Sequence, residues 1–459
     1  MIHEQLKEKM EAYINFGEGF LYDNQKEAII DLKKKGNSGL ILQGKVGRGK
    51  SRTGLYWYFN DCGGCISGYK YIKMHRPKPL YIITTAHKRD ILDWEKEMIP
   101  FGISVNEDDR MAKLGKKKLA EADEELDILG RNKELYPGLK VVVDSWQNIE
   151  RYEDIRDAYF IFDEDHVVSF GKWGKIFIKI ARPEQNNKWI VMTATPADQW
   201  REYAPIFVAC GFYKNQTEFN REHIMWDPWC KSFPKVKGYI NTGRLIRLRN
   251  KITVQMKYEQ NIDILDLPII CKYDVAKYNY LMKERFDIWK NEPYQNAAGL
   301  CYGLRRVCNE DNSRVEELKK IVEKHKKVIV FYNYDYELEM LKAVDWGADC
   351  VVDELNGHRH GELPAGAKWI YLCQYAAAAE AWNCTTTNVI VFFSQTYSYK
   401  ILIQAKGRID RLNTPYRELY YYHFVCKSPI DITIQKTLNR KKKFNEGKFM
   451  KDLNVSFEC

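Results

Sequence analysis

At 459 residues the chain is too long for a single hydrophobic core, and two or three domains are expected. Its net charge of +10 permits a polyanionic partner without requiring one. No stretch approaches the roughly 18 continuous apolar residues of a membrane-spanning helix, so no membrane partner is expected. The first residues lack an apolar signal region, so the expected location is cytoplasmic. Twelve cysteines without repeated spacing read as reduced thiols rather than a disulfide framework.

In chain order, residues 1 to about 13 suggest a polar amphipathic helix. Asp23 or Asn24 then caps a helix carrying Ala28, Ile29 and Leu32 inward. Next comes a short apolar strand from Gly39 and a Gly-rich loop, with a helix through Leu55, Tyr56 and Trp57. Gly44, Gly49, Lys50 and Ser51 fit G-x-x-x-x-G-K-[ST], with Gly47 inside the loop. Glycines allow the tight turn, and consecutive N–H groups at a helix start form an anion nest. Lys50 is placed to reach the β/γ-phosphates of ATP, and the Ser51 hydroxyl to ligate Mg²⁺.

Residues 60–79 read as irregular. They contain Cys62 and Cys65, a lone C-x-x-C that is more simply a surface loop than a zinc site. A buried strand runs from Pro79 to Thr85, and a helix from Asp90 to Met98 with Trp94 inward. Residues 106–131 suggest a solvated charged face. Further apolar strands lie at 139–145, 158–163 and 189–193. From 197 to 260 the pattern loses regularity, with Trp226, Trp229, Arg244, Arg247, Arg249 and Lys251 intermixed. A second α/β cycle begins near Leu267 and Pro268, with strands at 327–332, 369–373, 388–393 and 419–425. Strands alternating with helices predict doubly wound parallel sheets.

Asp163, Glu164, Asp165 and His166 close an apolar strand, at the carboxyl end where ligands of such sheets gather. Asp163 suits Mg²⁺ and Glu164 suits activation of the attacking water. Arg408 and Arg411 stand three apart, as a pair aimed at developing phosphoryl charge would. The second cycle has no phosphate loop of its own, so it is the natural supplier of such a finger across an ATP cleft.

These motifs, in this order, resemble those of superfamily 2 helicases and translocases, near the Snf2-like and DEAD/DEAH-type branches and the compact helicases of phage replication modules. The resemblance covers residues 15 to 435. It implies two RecA-like domains in tandem around an ATP cleft: 1–262 with the bridge, 263–435, and a basic tail 436–459. It implies adenine recognition by Gln25, and cofactor contacts from Gly44, Gly47, Gly49, Lys50, Ser51 and Arg52. Catalysis falls to Lys50, Glu164, Arg408 and Arg411. Thr85, Ser145 and Asn383 are the implied nucleic-acid contacts, and Thr193, Thr195, His166 and Gln404 the coupling residues. Leu267 and Pro268 resemble the junction into the second lobe of Snf2-like proteins. The family's motif V is glycine-rich where this chain has Ala376 to Ala379. Lys45 and Arg48 replace small residues in the loop, where they would face solvent or DNA. The expected activity is ATP-dependent movement along single-stranded, duplex or forked DNA in phage replication or recombination, with replication proteins as partners. Duplex tracking without strand separation and RNA unwinding are the alternatives.

Overall fold

The computed structural model describes residues 21–453, apart from 37, 46, 68–69, 132–135, 164–170, 195–198, 228–235, 258–261, 360, 362, 379–381, 383, 412–413 and 441–443. The chain divides into two compact units, Met1–Glu259 and Gln260–Cys459. The expected amphipathic helix at the N-terminus lies outside the described residues. Among the described residues no helix is long and apolar enough to cross a membrane.

The first unit is built on six parallel strands: β1 Gly39–Gln43, β2 Leu80–Thr84, β3 Val141–Ser145, β4 Tyr159–Asp163, β5 Lys188–Thr193 and β6 Thr253–Gln255. Their spatial order is β6-β1-β5-β4-β2-β3. Alternate residues point to opposite faces. Leu40, Leu42, Ile161, Ile190 and Met192 join one apolar cluster, while Ile41, Phe160, Phe162, Trp189 and Val191 join the other. Both faces are therefore buried, which is why these strands read as continuous apolar runs. Gly39 is required at the head of β1, because a Cβ there would lie 2.1 Å from the Trp189 ring.

The second unit repeats the plan with β7 Asp263–Cys271, β8 Lys327–Tyr332, β9 Val351–Leu355, β10 Trp369–Gln374, β11 Val389–Phe392 and β12 Glu418–Cys426. All pairings are parallel, in the order β7-β12-β11-β8-β10-β9. Val328, Val330, Ile370, Leu372 and Val391 feed one core, and Ile329, Phe331, Tyr371, Ile390 and Phe392 the other. Two doubly wound parallel sheets are thus the architecture, as expected of tandem RecA-like domains.

Several expectations are corrected. Helix α1, Asp23–Lys35, has Tyr22 as its cap; neither Asp23 nor Asn24 fills that place. Helix α2, Lys50–Asp61, is followed by a hairpin, Cys65–Ser67 paired with Lys70–Ile72, so 60–79 is partly regular. The helix expected over Asp90–Met98 is two pieces, α3 Ala86–Asp90 and α4 Asp93–Met98, broken at Leu92 with φ +56°. Around α5, Lys116–Ile128, only Leu126 is buried, so the charged face is solvated as expected, and an ion-pair network forms at its inner margin. Arg110 joins Glu95 at 2.9 Å and Asp123 at 3.1 Å, and its side chain is only 6% exposed.

Leu267 and Pro268 lie inside β7, the first strand of the second unit, paired with Tyr422 and His423, so the second cycle does begin near them. β7 is an edge strand, where a missing N–H is tolerated. The basic tail is not wholly free, since Leu438, Phe444, Phe449 and Met450 are buried in the second unit's core.

Candidate nucleotide site

The backbone makes the phosphate loop before any side chain contributes. β1 ends at Gln43, opposite Thr193 of β5. The Gly44 N–H then donates to the Thr193 carbonyl at 3.0 Å, fixing the loop to the end of that strand. Gly47 and Gly49 adopt φ of +75° and +72°, a region open to glycine at no steric penalty. Position 46 lies outside the described residues.

Three side chains brace the loop. Thr53 Oγ1 donates to the Gly49 carbonyl at 3.0 Å. Gln25 Nε2 donates to the same carbonyl at 3.1 Å, while its Oε1 accepts the Tyr22 N–H at 2.9 Å. Gln25 is 2% exposed, so it ties the start of α1 to the loop with both ends of its amide. Lys50 Nζ donates to the carbonyls of Gly44, at 2.8 Å, and Lys45, at 3.0 Å. An ammonium has three donors and binds phosphate oxygens by the same geometry, so Lys50 is already aimed into the loop.

Two loop residues face elsewhere than expected. Arg48 is buried at 5% exposure, so it does not reach into solvent. Arg52, expected at the cofactor, is 4% exposed and donates through Nε to Glu97 of α4 at 3.2 Å. It fixes α2 to the body of the unit.

Asp163 closes β4, and its register partner on β5 is Met192, itself paired with Leu42 of β1. One strand therefore separates the carboxylate from the loop strand, a spacing of about 10 Å. The side chain is buried. Its Oδ2 accepts from Thr84 Oγ1 at 2.9 Å and from Lys88 Nζ at 2.8 Å. The indole of Trp146 donates to its backbone carbonyl at 2.9 Å.

The loops after β2 and β3 complete this edge. Thr85 caps α3, its hydroxyl accepting the Lys88 N–H. Ser145, expected at nucleic acid, is 1% exposed and its hydroxyl accepts from Arg89 at 3.0 Å. That guanidinium also reaches Asp144, a fully buried carboxylate that accepts from Asn148 and Tyr152 as well. Burial, then the hydrogen bond to Asp144, pushes the Tyr152 phenol up. Ser145 thus belongs to an internal network.

In the second unit, helix α6, Tyr399–Lys406, leads into Arg408 and Arg411. Both guanidinium groups reach one oxygen, the Trp382 carbonyl, at 2.7 Å from Arg408 and 3.3 Å from Arg411. Arg408 is 5% exposed and also donates to the Gln404 carbonyl at 3.0 Å, and Gln404 itself is buried. The Cys384 N–H returns to the Arg408 carbonyl. Arg411 keeps partial exposure.

Thr193 is buried at the end of β5, beside the loop. Glu164, His166, Thr195 and Asn383 lie outside the described residues. Among the described residues no group of three or more His, Cys, Asp or Glu could hold a metal. Cys62 is buried and Cys65 exposed.

Two partners escaped the sequence reading. Lys88 stands 75 positions from Asp163; its only signal was a cation just past an apolar strand. Glu337, fully buried, accepts from Asn309, from Asn333 N–H and from Ser394, each at 2.8 Å, joining the loops after β8 and β11.

No family model matches the chain, and no curated protein does. Among solved structures, the Sulfolobus solfataricus SWI2/SNF2 ATPase core in complex with dsDNA is similar over 92% of this chain and 92% of that one. The sequence identity is 13% and the TM-score 0.39.

Proposed function

We propose that this chain is a nucleic-acid-dependent ATPase that moves along DNA. The observation that carries the reading is a glycine loop and a buried carboxylate one strand apart at the carboxyl end of one sheet. Lys50 is folded into a glycine loop anchored on β5, and the Asp163 carboxylate stands on the other side of that strand.

The residues fit Mg²⁺. Asp163 already holds a cationic group, the Lys88 ammonium, and Ser51 lies in the first turn of the helix after the loop. Ser51 and Asp163 would hold the ion, which supplies positive charge to the phosphates when bound. Lys50 exchanges loop carbonyls for phosphate oxygens. Glu164 orients the attacking water, and Arg411 stabilises charge developing in the transition state. Gln25 acts as a brace of the loop, a role its occupied amide supports better than reading adenine. Thr85 and Asn383 contact the strand, and Thr193, Thr195, His166 and Gln404 couple nucleotide state to grip. The grip is mostly to phosphates, with little reading of sequence. The phage replication setting and strand separation belong to this proposal as its finer part.

The test is ATP turnover with single-stranded, duplex and forked DNA and with RNA. DNA is expected to stimulate hydrolysis, and strand displacement on the fork then separates unwinding from duplex tracking. Stimulation by RNA alone would replace the substrate. Glu164→Gln should bind ATP and lose at least 100-fold in turnover, an order-of-magnitude expectation for loss of the base. Unchanged turnover in that variant removes the catalytic assignment.

A further inference from the structure

A carboxylate as buried as Asp163 does not stand without a countercharge. The countercharge is internal: Lys88, on the short helix α3, reaches Oδ2 at 2.8 Å. Thr84 Oγ1 donates to that same oxygen. The Lys88 side chain is 19% exposed, against 3% for Asp163, so its ammonium lies on the solvent side of the pair. The Lys88 N–H is held by the Thr85 hydroxyl, so the main chain of α3 stays in place when the side chain swings.

We propose that Lys88 is a built-in place-holder for the divalent cation: its ammonium neutralises Asp163 in the nucleotide-free protein and leaves when Mg²⁺·nucleotide arrives. Ammonium and Mg²⁺ both seek one buried carboxylate, and the two charges cannot share it at close range. Mg²⁺ therefore binds in competition with a side chain of fixed effective concentration. Lys88 is a positioning residue here, since it touches the metal's ligand rather than the substrate. Its release happens on α3, three residues after Thr85. The arrival of nucleotide is thereby reported to the segment proposed to hold the strand.

The inference rests on the ATPase reading, and the experiment separates the two. Mg²⁺ is titrated against a fixed amount of a fluorescent ATP analogue, with the wild-type chain and with Lys88→Met. Removing the competing ammonium should lower the half-saturating Mg²⁺ concentration by about tenfold. An unchanged or raised value in Lys88→Met overturns the proposal while leaving the ATPase reading intact. A wild-type chain that binds no analogue at any Mg²⁺ concentration defeats the ATPase reading, and this inference with it. A second measurement needs neither metal nor nucleotide. Lys88→Met should lower the melting temperature by about 5 °C, and Lys88→Met/Asp163→Asn should recover most of that loss. A double variant that melts no higher than the single one also overturns the proposal.

Discussion

Arg408 and Arg411 look equivalent in sequence, three residues apart as on one helical face, but α6 ends at Lys406 before either, and their surroundings separate them. Arg408 is buried and bonded to two backbone carbonyls, so removing it leaves two acceptors in the interior without a donor. Arg408→Ala should destabilise the second unit by about 3 kcal/mol, the scale of two charge-assisted bonds at a buried site. Arg411 is partly exposed with a longer bond. Arg411→Ala should leave the melting temperature within about 2 °C of wild type, while turnover falls at least about 100-fold with ATP affinity retained. Thermal melting beside steady-state turnover distinguishes the two. The reverse pattern, with Arg408 kinetic and Arg411 structural, would exchange their roles. Motif spacing pointed to both residues, because type and interval are sequence properties. It was silent on which guanidinium is buried, because that depends on Trp382, more than twenty residues upstream. The same limit explains Ser145: the sequence placed it at a strand end, but Arg89 and Asp144 decide which way its hydroxyl faces.

At the scale of elements, strands were legible wherever both faces are buried, as in β4 and β8, because continuous apolar runs have few other solutions. Edges were harder. β7 alternates in exposure and contains Pro268, and only Leu267 and Pro268 marked it in the sequence, as the start of the second cycle. It is held to its neighbour partly through Asp266, whose carboxylate meets His423 at 2.9 Å and also pairs with Lys406. Burial would push the Asp266 carboxyl up, but hydrogen bonds from His423 and Lys406 outweigh it and hold it at about 2. A carboxyl held below its unfolded value stabilises the fold fully above about pH 4. That contribution disappears as pH falls towards 2. With Asp266 half exposed, the contribution is discounted for screening to about 1 kcal/mol or less. Asp266→Asn should therefore lower stability at pH 7 by that amount and flatten the loss between pH 4 and 2. Denaturant unfolding at both ends of that window measures it, and an undiminished acid loss in the variant would refute the assignment. The hairpin after α2 was hidden for another reason. Its strands are three residues each, too short to display a period.

Each of the two units is built on a six-stranded sheet with a core on either face, and each contains one part of the proposed chemistry. Gly44 to Ser51 and Asp163 are in the first; Arg408 and Arg411 are in the second. A chain cut to residues 1–259 should fold and bind ATP within about tenfold of the full-length affinity, since a domain with its own core folds as a unit. Its turnover should not respond to DNA. Fluorescent-nucleotide binding and turnover on the same preparation check both statements, and DNA-stimulated hydrolysis by the fragment would show that the second unit is dispensable. The two-unit plan was visible in the alternation of strands and helices. The 200–257 region was not, because its helices and short hairpin strands follow no single period. There Arg201 lies over Trp226, Arg249 over Trp200, and Arg244 over Tyr213.

The oxygen that receives both arginines belongs to the peptide of Trp382, not to its indole, which packs edge-on against Tyr371. A carbonyl has two lone pairs, so two guanidinium groups fill it. No side-chain substitution at position 382 deletes that acceptor. The indole packs against Tyr371, and a lineage can exchange it without letting go of either arginine. Comparison of distant relatives should then find the arginines constant and this neighbour variable, an inconstancy that would hide the contact from any search for residues that change together.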